Sequence, residues 1–110
     1  MSNFTDYRRH VGARPDKFFK ATLFESARLL LGLNCLEPGQ AQALHAHADQ
    51  DKFYLVQAGE GVFTVGDEVQ NVGAGGVVWA PAGVPHGVRN EAAERLVIVM
   101  GIAPAHGAEH

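Results

Sequence analysis

Cysteine is almost missing: Cys35 is the only one in 110 residues. No intrachain disulfide can therefore brace the fold, and a reducing, cytoplasmic setting is the default expectation. Basic excess is missing too. Nine Lys and Arg stand against twelve Asp and Glu, a formal net charge of -3, without the cationic surface that nucleic acid or an anionic membrane calls for. The longest apolar run, ARLLLGL, is far too short to cross a bilayer. The N-terminus shows no basic segment leading into an apolar one, the mark of a signal peptide.

What is present is an apolar fraction of 46%, enough for one compact core, with 13 glycines and five prolines placed between short apolar runs. Many strands joined by many tight turns are expected, in an all-β sandwich or barrel. Residues 1–16 show no sustained period and read either as an irregular arm lying across another subunit or as a frayed terminus. Residues 17–104 hold the strands: KFFKATLF, ARLLLGLNCL, a segment from Ala41 to His47, Lys52 to Ala58, VFTV, VQNV, Val77 to Trp79 and RLVIVMGI. Residues 105–110 are too small and polar to pack and read as a flexible tail. Cys35 reads as a buried, inert thiol. Lys52 to Ala58 is apolar on both faces, with Tyr54 and Val56 on one and Phe53 and Leu55 on the other. Such a strand needs cover twice, inside a sandwich or at a homodimer interface.

The chemistry gathers in GQAQALHAHADQDKFYLVQAG, Gly39 to Gly59. His45 and His47 are two apart on a segment read as a strand, so both project from one face. His86 follows a Pro-x-Gly turn in GVVWAPAGVPHGVRN, which can return a third imidazole to the pair. Three convergent neutral imidazoles suit a divalent transition metal. His10, His106 and His110 have no such companions and read as exposed. Gln42 has the opposite parity to His45 and reads as outward-facing. Trp79 reads either as a wall of the cavity or as plain packing, and Glu60, Asp67 and Glu68 as solvated turn residues.

These two stretches resemble the two motifs of the cupin superfamily, small β-barrels of jelly-roll type that commonly hold one metal. Gly39, His45, His47 and Gly59 match the first motif, in which Lys52 takes the place of the family's Glu. Gly75, Pro81, Gly83, His86 and Asn90 match the second throughout. The resemblance implies a single-domain jelly-roll barrel, with His45, His47 and His86 as metal ligands.

Lys52 departs from the pattern in a way that matters for charge. At about 5 Å and an effective dielectric near 20, a divalent ion and an ammonium repel by roughly 7 kcal/mol. Four arrangements remain open: Lys52 neutral or swung away; Lys52 paired with a bound anion; a register slipped by one, with Asp51 inward; or no metal. The resulting expectation is a divalent ion (iron, manganese, nickel, zinc or copper) and metal-assisted, dioxygenase-like chemistry on a small anionic substrate. Lys52 would recognise the anion or act as a base, beside Tyr54 in the pocket. Two alternatives stand: a non-catalytic module that binds or senses a small molecule, and a metal-free isomerase or lyase built on Lys52, Tyr54 and the histidines.

Overall fold

The computed structural model describes residues 2–105. Nine strands run through them: β1 (Phe19–Glu25), β2 (Leu30–Leu36), β3 (Ala41–His45), β4 (Asp51–Ala58), β5 (Glu60–Val65), β6 (Glu68–Gly73), β7 (Val77–Ala80), β8 (His86–Arg89) and β9 (Leu96–Ala103). They form two antiparallel sheets, ordered β1-β2-β9-β4-β7 and β3-β8-β5-β6. The sheets face each other across a core of Tyr54, Val56, Phe63, Val88, Ile98 and Met100 with their neighbours. This is the jelly-roll barrel that the turn spacing calls for.

Glycine sets the turns at the positions that need it. Gly66 has φ 60 in the β5–β6 hairpin, the left-handed region that glycine enters at no steric cost. At Gly59, φ is 75 and an added Cβ would meet the Arg95 carbonyl oxygen at 2.4 Å, so two chain segments cross where no side chain fits. No helix among the described residues is long and apolar enough to cross a membrane.

The N-terminal arm lies on the chain's own larger sheet. A short 3-10 turn, Tyr7–Arg9, brings Tyr7 and Val11 against Leu33, Cys35 and Val97 on that sheet's outer face. Gln40 ties the arm down, its Nε2 donating to the Arg14 carbonyl at 2.7 Å and the Lys17 carbonyl at 3.0 Å. Cys35 is buried, and desolvation raises its thiol pKa, which keeps the reactive thiolate scarce. His10, expected in solvent, is half-buried and hydrogen-bonded to Thr5 Oγ1 at 2.8 Å.

Ala105, assigned from sequence to a non-packing tail, is 4% exposed and joins the core, its N–H donating to Ala27. A small residue fits where a polar one would not. His106 and His110, with the rest of the tail, lie outside the described residues.

Candidate metal centre

The centre forms where the ends of β3 and β8 meet. His45 is the last residue of β3 and pairs directly with His86, the first of β8. His47 lies two residues past the strand. Its position is fixed by the Pro81–Gly83 turn, where Gly83 N–H donates to the His47 carbonyl at 2.8 Å. Gly83 adopts φ 79 there, which only glycine accepts readily. Ala82 N–H donates to the Asp51 carboxylate at 3.0 Å, tying the start of β4 to the same turn.

The three rings converge. Centroid separations are 4.3 Å for His45–His86, 5.0 Å for His45–His47 and 6.0 Å for His47–His86, and one nitrogen from each ring lies within 4.8 Å of the others. Nδ1 of His45 faces the Ala43 carbonyl at 2.8 Å, and Nδ1 of His86 faces the Val84 carbonyl at 3.0 Å. A carbonyl only accepts, so in both rings Nδ1 carries the proton and Nε2 keeps its lone pair. Nε2 of His47 and of His86 are buried with no hydrogen-bond partner. Buried polar atoms are seldom left so, and a donor set of this kind fits a divalent ion.

Burial favours the neutral form of two of the rings. It pushes the His86 pKa down to about 4, against the Val84 hydrogen bond and with help from His45, Lys52 and His47; His45 is lowered chiefly by burial too. Neutral imidazoles are what metal ligation needs.

Lys52 and Tyr54 both face inward and are wholly buried, while Asp51 is exposed at its turn. The slipped register is thereby excluded: Asp51 braces the loop outside and Lys52 occupies the interior. Lys52 Nζ lies 4.8 Å from the Tyr54 ring centroid, and Tyr54 stands 6.2 Å from His86 in an edge-on contact. Burial, with a smaller contribution from the charge of Lys20, pushes the Lys52 pKa down to about 7. Burial also raises the pKa of the Tyr54 phenol, which stays protonated and donates to Gln42 Oε1 at 2.9 Å.

Gln42 corrects the parity argument. It is 8% exposed and points inward, because the pairing of β3 with β8 shifts between Gln42 and His45. Four residues on β3 face three on β8 (Gln42 opposite Val88, His45 opposite His86), and this bulge puts both side chains on the inner face. Lys20 was also missed as a neighbour of the centre. Its pairing with the buried Asn34 sets it on the inner side of β1, a placement that needs the β1–β2 register. Trp79 is 55% exposed on the outer face, paired with Phe53, away from the histidines. Asn90 is buried and satisfied, donating to the Leu36 and Glu94 carbonyls and accepting from Ala92.

A two-sheet antiparallel barrel with three imidazoles gathered at one end of the smaller sheet defines a class, the jelly-roll barrels suited to hold one metal. The chain belongs to the cupin family: the Cupin domain model matches residues 32–102. It is 36% identical over 74 residues to an uncharacterised protein of Streptomyces coelicolor, covering 67% of this chain and 70% of the relative. A crystal structure from Thermus thermophilus is similar with a TM-score of 0.91 at 41% identity, covering 94% of this chain and 98% of that one. A conserved protein with a double-stranded β-helix domain from Klebsiella pneumoniae shares the fold, with a TM-score of 0.91 at 23% identity over 98% and 95% of the two chains.

Proposed function

We propose that the chain is a metal-dependent enzyme acting on a small anionic molecule, with His45, His47 and His86 as the ligands of one divalent ion. The observation that carries the reading is the pair of buried, unpartnered Nε2 atoms of His47 and His86, within 4.8 Å of the third imidazole. Such an ion, when bound by three protein ligands, supplies Lewis-acid or redox chemistry at its open positions. Among the described residues no carboxylate joins the three imidazoles, so a divalent ion held there would keep a net positive charge that favours an anionic substrate.

Lys52 and Tyr54 act in this reading as positioning residues, since both are closed off from solvent. Tyr54, held by Gln42, backs the His86 ring and fixes its direction. Lys52 sits over Tyr54 with a pKa near neutrality, and an adjacent divalent charge lowers it further. Its amine is then neutral, which removes the repulsion between Lys52 and the ion.

The test is elemental analysis of protein purified without a polyhistidine tag, beside a variant carrying both His47→Ala and His86→Ala. About one equivalent of metal is expected in the parent and none in the variant. No metal after reconstitution with iron, manganese, nickel, zinc and copper in turn would end the reading.

The same reading makes the protein a homodimer. The outer face of β4 and β7 carries Phe53 and Leu55, half-buried, beside Val77 at 69% and Trp79 at 55% exposure, beyond the reach of the arm. A second copy laid on Phe53 and Leu55, with Val77 at its margin, would cover that part of the face and leave the Trp79 rim open.

A further inference from the structure

A second cavity opens at the seam between β6 and β7, the edge strands of the two sheets. Its volume is about 260 Å³. At roughly 30 Å³ for each water-sized group, that is room for one ring and a short side chain. The floor is apolar, with Phe63 buried in the core and Val65 and Val72 packed against it. One rim carries the half-exposed indole of Trp79, and the other carries Glu68 and Gln70.

Two features give the cavity its chemistry. Among the described residues, Glu68 is the only charged one lining it, and it forms no salt bridge. The Trp79 indole also lines it, and indole is the side-chain ring that attracts cations most strongly. The cavity also lies against the histidine centre without including it. Val65 pairs with His86 across β5 and β8, and the Phe63 ring is 5.2 Å from Tyr54.

We propose that this seam cavity is a binding site for a small organic amine, its ring or alkyl body on Phe63, Val65 and Val72 and its cationic nitrogen between Glu68 and the Trp79 indole. The site is separate from the metal reading, since none of its lining residues is a histidine. An anion is disfavoured by Glu68, and a neutral ring gains the floor alone. The amine therefore binds where the anion-directed histidine centre does not reach.

Trp79 is the only tryptophan of the chain, so its fluorescence reports on the rim directly. Tag-free protein is titrated with benzylamine, benzyl alcohol and benzoate, up to about 20 mM each to cover millimolar affinities. Each titration is run with the metal-loaded protein and again after exhaustive chelation. Benzylamine should change the emission saturably and equally in both states, benzyl alcohol more weakly, and benzoate least. Glu68→Gln, an exposed substitution, should weaken benzylamine by about two- to fivefold, the effect of an exposed charge pair, and leave benzyl alcohol unchanged. No saturable change with benzylamine overturns the site. Benzoate binding as well as benzylamine, or a Glu68→Gln variant with unaltered preference, overturns the amine class. A response seen only in metal-loaded protein overturns the location, because the amine is then coordinating the ion. The metal content itself is fixed by the elemental analysis, so the two readings fail separately.

Discussion

Lys52 sets the charge balance beside the histidines, and its burial makes a direct prediction. Its pKa falls from an ordinary 10.5 to about 7 in the folded chain. Between these values the unfolded chain binds the proton and the folded chain does not, so stability rises with pH from 7 to 10.5. Below pH 7 both states are protonated and the full cost remains. At about 1.4 kcal/mol per pKa unit this cost is on the order of 5 kcal/mol, an upper figure that relaxation reduces. Lys52→Met should therefore stabilise metal-free protein in urea unfolding at pH 7, and its advantage over the parent should shrink as pH approaches 10. An advantage independent of pH would show that Lys52 keeps its proton in the fold. His86 makes the acid limb. Its pKa falls from 6.5 to about 4, so the folded chain resists protonation and loses stability as pH drops from 6.5 through 4. Bound metal should be kept through that window and released only as pH falls through about 4, where the folded His86 ring itself takes up a proton, followed by elemental analysis after rapid desalting at each pH.

The element that aims the ligands is β3 with its bulge. Gly87 on β8 lies against it, and a Cβ there would meet the Gln42 carbonyl oxygen at 2.8 Å and the Leu44 nitrogen at 3.1 Å. Both are backbone atoms and cannot rotate away. Gly87→Ala should push β3 outward, cost about 1–3 kcal/mol in unfolding experiments, and lower metal affinity by about 10- to 100-fold, as loss of ligand orientation does. Unchanged affinity in a folded variant would show that the bulge does not position His45. The same bulge marks the limit of what periodicity reveals. The histidine pair, the Pro-x-Gly turn and the strand series were legible because alternation and turn residues are local signals. Gln42 was misread because a two-residue period fails wherever one residue is added to a strand, and β-bulges carry no reliable residue signature of their own. Lys20 required the β1–β2 register, and Ala105 required a tertiary pocket, neither of which a local pattern contains. The register at Lys52 stayed open between Lys52 and Asp51 because the turn that decides it is tertiary: Asp51 is engaged by the Pro81–Gly83 turn outside, and Lys52 is buried.

At the scale of the molecule, one end of the larger sheet's outer face is closed by the chain itself and the other end is left apolar. The arm covers Leu33, Cys35 and Val97, whereas Val77 and Trp79 stay open at the far edge. Light scattering after gel filtration should give twice the chain mass for the parent, and Val77→Lys, at an exposed edge position, should shift it toward the monomer without loss of fold. A parent that runs as a monomer at all concentrations would refute the dimer.

The Gly83–His47 hydrogen bond, between backbone groups, and the Ala82–Asp51 hydrogen bond, from a backbone N–H to a carboxylate, join the two halves of the histidine site. In the metal-binding reading proposed above, the imidazoles are gathered by the chain itself, unlike those of small zinc modules that fold only around their metal. Loading then needs little ordering of the chain, and the set of imidazoles follows the general affinity series, in which copper and zinc outrank iron and manganese. The metal in a sample is then set jointly by that series and by the ions supplied while the chain was made.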